Sequence, residues 1–290
     1  MSDPLLDRTL PSEATPTGYV LRLSRPRFWL YLAGPVVVGV AYAATRPAEL
    51  FDPLAVALFL YFLLPANVYL YGINDVFDAD VDAENPKKDD REVRYRGDRL
   101  VPGLVVVCAA LGVAFLALVP LYGAVAMGAF LALAAGYSAP PFRFKTMPFL
   151  DSVSNGLYVL PGVVAYVAVA GTAPPVTALA GGWLWVMGMH TFSAIPDIEP
   201  DREVGIRTTA TTLGERRTYA YCAGCWLAAA AVFGLVHPFF AAVLGVYPLV
   251  VAGIVAADVD VDRAYWWFPA VNTLAGMVLT LAALWVLLYG

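Results

Sequence analysis

The sequence is short of charged side chains. Of its 290 residues only 14% are Asp, Glu, Lys or Arg, whereas 60% are hydrophobic. Soluble globular domains contain about 25% charged and about 45–50% apolar residues. This composition excludes a soluble enzyme, a disordered chain and a nucleic-acid-binding protein, and the long apolar runs indicate a polytopic membrane protein.

Cysteine is also scarce. The three cysteines, Cys108, Cys222 and Cys225, all lie in apolar runs. The Cys222-x-x-Cys225 spacing is that of some zinc and redox sites, but no second pair or nearby histidine completes such a site. We therefore interpret the cysteines as buried packing residues.

Apolar segments of about 20 residues, enough to cross the hydrocarbon of a bilayer, recur along the chain. Short connections separate several of them, which makes neighbouring helices antiparallel. We predict that residues 1–290 form one all-α domain, a bundle of nine transmembrane helices. The predicted spans are 27–45, 50–72, 101–119, 121–138, 149–170, 176–195, 218–236, 238–257 and 265–289.

Positive charge lies on one side of this predicted bundle. Of the 18 basic residues, only Arg46 falls on the other side. Because positive residues stay cytoplasmic, we expect a cell-membrane protein with the polar tail 1–24 in the cytoplasm and Gly290 outside. Three loops would form the cytoplasmic mouth of an active site: 73–100, 139–148 and 196–217.

The first acidic cluster follows the second predicted helix. At about 100° per residue, Asn74, Asp78 and Asp82 share one helix face. Asp75 lies slightly further round, and Asp80 points to the opposite side. Like charges spaced four residues apart repel, so we expect a positive group against this face.

The second cluster, Asp197-Ile198-Glu199-Pro200-Asp201, follows the sixth predicted helix. In a helix Asp197 and Asp201 would share a face and Glu199 would point away, although Pro196 and Pro200 oppose a regular helix. Mg²⁺ is usually held by one or two carboxylates together with substrate phosphates. Two such clusters at equivalent helix ends suit two Mg²⁺ ions that bridge a diphosphate.

A bound diphosphate also needs protein cations, and arginine forks match phosphate oxygens. The candidates are Arg91, Arg94, Arg143, Lys145 and Arg207. No activated nucleophile is evident, which leaves metal-assisted loss of diphosphate as the chemistry. The cation left behind needs a dry pocket with aromatic faces. Candidate pocket residues, each with helix packing as its alternative role, are Tyr71, Tyr137, Tyr158 and His190.

These motifs resemble those of the UbiA-type membrane prenyltransferases over nearly the whole chain. The similarity includes Asn-Asp-x-x-Asp-x-x-x-Asp at 74–82, Tyr-Ser-x-Pro-Pro at 137–141 and Asp-x-x-x-Asp at 197–201. The resemblance implies that Asn/Asp clusters bind Mg²⁺ and the diphosphate of a prenyl donor, while the acceptor enters from the lipid. The residues that match this metal–diphosphate role are Asn74, Asp78, Asp82, Asp197 and Asp201, with Asp75 adjoining.

Within that family, residues 195–214 are most similar to the lycopene elongases of halophilic archaea and actinobacteria, although Pro200 replaces the family's usual glycine. The resemblance implies transfer of a five-carbon unit from dimethylallyl diphosphate to lycopene, with hydration of the product end in some members. An aromatic or quinone precursor, or an ether lipid, is the alternative acceptor. A cation transporter is the alternative of another class, but the clusters lie at one face rather than at the midplane.

Overall fold

The computed structural model describes residues 10–79 and 95–290, and all regular secondary structure within these residues is helical. The amino-terminal half contains α1 (Pro16–Leu23), α2 (Trp29–Ala43), α3 (Pro53–Leu63), α4 (Pro65–Phe77), α5 (Leu100–Phe115), α6 (Leu121–Ser138), α7 (Leu150–Ser154) and α8 (Leu160–Ala170). The carboxy-terminal half contains α9 (Val176–Ser193), α10 (Ile198–Glu203), α11 (Thr209–Leu213), α12 (Glu215–Gly234), α13 (Pro238–Leu244), α14 (Val246–Ala256) and α15 (Val261–Tyr289).

Helical residues occupy every predicted span, and the predicted all-α class is confirmed. In the described part of the chain, five stretches are long and apolar enough to cross a membrane, which makes this a multi-pass membrane protein. They are Pro53–Phe77, Leu121–Ser138, Leu150–Ala170, Pro238–Ala256 and Val261–Tyr289. The count of nine crossings stays a prediction.

The predicted span 50–72 differs from the structure at both ends and in its middle. It is broken at Leu64, because Pro65 lacks a backbone N–H and its ring clashes with the preceding turn. The buried Asn67 side chain repairs the break, since its Nδ2 donates to the carbonyls of Phe62 and Leu63 at 2.9 and 3.0 Å. Beyond the break, α4 continues to Phe77, so that Asn74 and Asp75, the first residues of the acidic cluster, lie in its last turn.

The helices form two hydrophobic cores, one in each half of the chain. The first core joins α2, α3, α4, α6 and α8 around side chains such as Phe62 and Phe130. The second joins α9, α12, α14 and the first turns of α15 around Trp226 and Phe268. Each half ends one of its helices in an acidic cluster, so the two cores bring the clusters to a shared boundary.

A glycine pair allows α2 and α8 to approach closely in the first core. A Cβ atom built on Gly39 of α2 would lie 2.2 Å from the carbonyl oxygen of Gly162 in α8. Small residues let membrane helices approach in this way. Helix α2 is thereby fixed against α8 on one side and also packs against α15 on the other, which leaves an open space between the two cores.

Candidate active site

A large cavity occupies the space between the two cores. Its volume is about 1820 Å³, and its lining extends from Pro175 along α9 and on to Asp201 in α10. Helix α9 has 18 residues and is therefore about 27 Å long at 1.5 Å per residue. The cavity thus runs nearly the thickness of a bilayer.

One end of the cavity, which we call the mouth, is lined by polar and charged side chains. Oxygen ligands come from Asn74 of the first cluster and from Asp197 and Asp201 of the second. Positive charge comes from arginines of the amino-terminal segment, which are Arg22, Arg25 and Arg27. Asn74 of the first cluster and Asp197 and Asp201 of the second therefore line the same cavity, and such oxygen donors suit hard cations.

Asn74 is oriented by a neighbouring helix. It lies in the last turn of α4, and its Nδ2 donates to the Oγ of Ser138 at 3.0 Å, at the end of α6. That hydrogen bond turns the amide oxygen Oδ1 away from the serine. The Tyr-Ser-x-Pro-Pro segment therefore supports the first acidic cluster directly.

The second cluster folds as a short helix in spite of its prolines. Residues Ile195–Asp197 form a 3₁₀ turn that leads into α10. Pro200 lies in the first turn of α10, where a missing N–H leaves no helical hydrogen bond unmade. Asp197 and Asp201 both line the cavity. The side chain of Glu199 is 75% exposed and pairs with Arg202 at 2.7 Å, so the predicted phase of this cluster is confirmed.

Asp75 meets the positive group that like-charge repulsion predicts. Its Oδ1 lies 3.0 Å from Nη2 of Arg25, and the Asp75 side chain is 3% exposed. The Arg25 backbone adopts a left-handed conformation with φ 53°, and its guanidinium carbon lies 4.5 Å from the ring centre of Tyr71. Arg25 thus links the amino-terminal segment, the first acidic cluster and the aromatic wall of the cavity.

Asp78 forms ion pairs with two of the basic residues that the sequence predicts to bind diphosphate. Arg143 Nη2 lies 3.2 Å from its Oδ1, and Lys145 Nζ contacts its Oδ2. None of these three side chains is part of the cavity lining, and Arg207 is an exposed residue away from it. The remaining predicted members of the site lie outside the described residues; they are Asp82, Arg91 and Arg94.

Aromatic rings form the wall next to the mouth. Tyr31 is 5.3 Å from Phe28 and 6.3 Å from Tyr158 between ring centroids, the latter pair edge to face. Tyr71 and Tyr158 line the cavity as predicted. Tyr31 accepts a hydrogen bond of 3.3 Å from Asn272 of α15. A positive charge developing here would face several aromatic rings.

The other two predicted pocket residues are bonded to each other. The Tyr137 hydroxyl lies 3.1 Å from Nε2 of His190, and both side chains line the cavity. His190 is therefore part of the pocket wall and makes a specific polar contact there.

Sequence reasoning missed a buried carboxylate behind this wall. Asp151 of α7 is 1% exposed and accepts hydrogen bonds from the backbone N–H of Thr209, at 2.8 Å, and from its hydroxyl. Next to it, Ser152 Oγ accepts from Thr191 at 2.8 Å. An ionisable residue inside the predicted span 149–170 was the available signal, since membrane segments carry such groups for a reason.

The amino-terminal arginines were also missed as site residues. Arginines at the cytoplasmic side of a membrane protein are expected from the positive-inside rule, so their number gives no sign of a second role in a binding site. The available signal was their position, because Arg25 lies just before the predicted membrane span 27–45 and Arg27 lies at its start.

Known proteins resemble the chain over almost its full length. The UbiA prenyltransferase family matches residues 32–268. The lycopene elongase/hydratase of Haloarcula japonica is 64% identical over 286 residues, which cover 98% of this chain and 97% of that protein. The lycopene elongase/hydratase of Haloferax volcanii is 65% identical over 272 residues, which cover 94% of this chain and 90% of that protein.

Solved structures share the fold. A UbiA homolog from Archaeoglobus fulgidus bound to GPP and Mg²⁺ superposes with a TM-score of 0.68 at 20% identity, covering 90% of this chain and 99% of that one. These comparisons confirm the prediction of an enzyme over that of a cation transporter. Family match, identity and fold agree, and the chain belongs to the UbiA prenyltransferase family.

Proposed function

We propose that this prenyltransferase moves a dimethylallyl group from dimethylallyl diphosphate to lycopene, with Mg²⁺, on the way to fifty-carbon carotenoids. The observation that carries the proposal is one continuous cavity with oxygen donors and arginines at its mouth and mostly apolar side chains along the rest. The relatives named lycopene elongase/hydratase support the acceptor. The Archaeoglobus fulgidus homolog bound to DMAPP and Mg²⁺ supports the donor and the metal.

The residues at the mouth fit Mg²⁺. Asn74 has its amide nitrogen engaged by Ser138, which leaves an amide oxygen to join the carboxylates of Asp197 and Asp201. Across residues 10–79 and 95–290, no three His, Cys, Asp or Glu side chains meet as a ready-made metal site. Mg²⁺ is usually bound by one or two carboxylates together with water and substrate phosphates. We propose two Mg²⁺ ions for the predicted set, which is Asn74, Asp75, Asp78, Asp82, Asp197 and Asp201. Of these residues, Asn74, Asp197 and Asp201 line the cavity.

The protein's own cations hold the diphosphate in place. Arg22, Arg25 and Arg27 line the mouth directly. Arg143 and Lys145 bring positive charge to the first acidic cluster through Asp78. In our proposal the arginines at the mouth are the direct diphosphate ligands. Of the predicted set, Arg143, Lys145 and Arg207 do not line the cavity, and Arg91 and Arg94 lie outside the described residues. When bound, Mg²⁺ neutralises negative charge that develops on the leaving diphosphate.

The reaction then depends on an allylic cation that is shielded from water. The allylic C–O bond of the donor breaks, and the diphosphate leaves with the electron pair. The rings of Tyr71, Tyr158 and Tyr31 face the allylic cation and exclude water. The terminal double bond of lycopene forms the new C–C bond, which leaves a tertiary cation on the acceptor.

The lower cavity favours a hydrocarbon acceptor. Among the described lining residues, the Arg, Asp and Glu side chains belong to the mouth, and the histidines below are His190 and His237. Burying an acceptor carboxylate or phosphate without a partner there would be costly. Burying a hydrocarbon chain is favourable, at about 0.8 kcal/mol per CH₂. An acidic aromatic acceptor or a phosphate-bearing ether lipid therefore fits this cavity less well.

The test is a product analysis. Purified protein with Mg²⁺ and dimethylallyl diphosphate is incubated with lycopene, with 4-hydroxybenzoate or with a naphthoate. We expect lycopene to gain one or two five-carbon units, and EDTA to stop the reaction until Mg²⁺ is restored. Unchanged lycopene beside a prenylated aromatic acid would contradict the proposed acceptor and leave the family assignment intact.

A further inference from the structure

Tyr137 and His190 form a polar pair in an apolar part of the cavity wall. The Tyr137 hydroxyl lies 3.1 Å from Nε2 of His190, and the two rings meet edge to face with centroids 5.7 Å apart. Residue 190 precedes Asp197 by two helical turns, or about 10 Å. The pair therefore lies about 10 Å below Asp197. In the proposed reaction the end of the acceptor meets the donor at this depth of the cavity.

A buried negative charge lies behind His190. Helix α7 is bonded to the turn around His190, because Ser152 Oγ donates to the carbonyl of Met187 at 3.3 Å and accepts from Thr191 at 2.8 Å. Asp151 precedes Ser152 and is 1% exposed. Burial opposes a positive charge on the imidazole. The Asp151 carboxylate offsets part of that cost, since charges interact strongly in a low-dielectric interior.

Other tyrosines of the lining have partners of a different kind. Tyr31 accepts a hydrogen bond from the amide of Asn272, and Tyr42 donates to the carbonyl of Leu279. Neither an amide nor a carbonyl is a useful proton acceptor at neutral pH. Tyr71 lies under the guanidinium of Arg25, which disfavours a second positive charge. Tyr137 differs from these residues in being bonded to an imidazole.

We propose that Tyr137 and His190 act as a proton relay that ends the reaction, an inference that rests on the proposed function. The tertiary cation left by C–C bond formation loses a proton from an adjacent carbon to the Tyr137 oxygen, and the C–H electron pair becomes the new double bond. The hydroxyl proton of Tyr137 moves at the same time to Nε2 of His190. The relay returns Tyr137 to its starting state and leaves His190 as imidazolium.

The relay also determines how much hydration occurs. A water molecule that adds its oxygen to the tertiary cation competes with the relay, and the proton lost from the added water passes to solvent. The product is then a tertiary alcohol instead of an alkene. The position of the relay relative to the acceptor end decides which proton is removed, and therefore which product forms.

The test compares product distributions. Tyr137→Phe removes the hydroxyl, and His190→Gln keeps a hydrogen-bonding group that cannot take up a proton at neutral pH. Tyr221→Phe is the matched control, because its hydroxyl is bonded to Ser152 at 3.0 Å and it does not line the cavity. Each protein is incubated with Mg²⁺, dimethylallyl diphosphate and lycopene, and alcohols, alkene isomers and released diphosphate are quantified.

We expect both relay variants to release diphosphate and to elongate lycopene. Their ratio of alcohol to alkene should change by roughly tenfold or more, since positioned bases contribute about 10²–10⁴-fold, whereas Tyr221→Phe keeps the wild-type ratio. A merely structural role would lower turnover without moving this ratio. Tyr137→Phe decides the matter alone if His190→Gln does not fold.

Two results would overturn the relay, and they are distinguishable. If wild-type protein elongates lycopene and both variants keep its product ratio, the relay alone is wrong. If wild-type protein elongates no polyene, the proposed function is wrong and the relay falls with it.

Discussion

Arg25 and Asp75 form a buried ion pair at the mouth of the cavity, with Nη2 and Oδ1 3.0 Å apart and the two side chains 17% and 3% exposed. The pair joins the segment before α2 to the acidic end of α4. Removing one member leaves the other as an uncompensated charge, which is far more costly than losing an exposed pair.

Arg25→Ala should therefore destabilise the protein by about 3–5 kcal/mol, the range for a broken buried pair. Thermal unfolding of the purified protein in detergent measures the effect. The control is Arg46→Ala, which breaks the pair with Glu49 in which Arg46 is 77% exposed, and it should leave the unfolding temperature almost unchanged. Equal shifts for the two variants would show that the Arg25–Asp75 pair has no special structural role.

The second acidic cluster offers a matched pair of carboxylates on one short segment. Asp197→Asn should abolish prenyl transfer, because Asp197 lines the mouth, while Glu199→Gln should keep nearly full activity, because Glu199 faces away and pairs with Arg202. Initial rates at saturating Mg²⁺ check both. Comparable losses in the two variants would contradict the assignment of this face to the metal.

The buried carboxylate of Asp151 fixes the loop that follows the second cluster. Thr209→Val removes the hydroxyl donor and should cost about 1–3 kcal/mol, as expected for a buried acceptor that loses a partner. Thr209→Ser keeps the hydroxyl and should cost much less. The midpoints of thermal unfolding distinguish these outcomes, and equal destabilisation by the two substitutions would contradict a special role for the hydrogen bond from the Thr209 hydroxyl to Asp151.

The proposed orientation predicts opposite accessibility for two loops. Asp90→Cys should react with a membrane-impermeant thiol reagent from the cytoplasmic side, and Ala173→Cys from the outside. The native cysteines give little background because Cys108, Cys222 and Cys225 are all buried. Labelling of both introduced cysteines from the same side would contradict the nine-helix topology.

Local sequence patterns predicted the elements whose causes are local. Helix α6 spans the predicted residues 121–138 because Pro120 precedes it and the Pro140-Pro141 segment follows it. The phase of the second cluster was likewise predicted, since a four-residue spacing places Asp197 and Asp201 on one side of even a short helix.

Features that depend on distant contacts were not predictable in this way. Asp151 meets Thr209 across 58 residues of sequence, and nothing near either residue reveals the pairing. The break at Pro65 was missed because the length of an apolar segment does not show whether the helix is continuous. The hydrogen bonds from Asn67 to the carbonyls of Phe62 and Leu63 form only in the folded helix. The arginines at the mouth were used only to predict the membrane orientation. Counting charges does not distinguish an arginine that sets the orientation from one that binds a substrate.

In the proposed reaction the cavity holds the acceptor hydrocarbon. Gly276 of α15 lines the cavity, and a side chain added there meets no heavy atom within 4 Å, so it would project into open space. Gly253 of α14 has equally open surroundings and does not line the cavity, which makes it the matched control.

The decisive measurement is the rate of lycopene elongation by Gly276→Leu and Gly253→Leu, with the affinity for dimethylallyl diphosphate measured in parallel. We expect Gly276→Leu to lower elongation by roughly 10-fold or more, as filling a hydrophobic pocket by a few carbons does, with donor affinity unchanged and Gly253→Leu like the wild type. Equal elongation rates for the two variants would contradict an acceptor bound in this cavity.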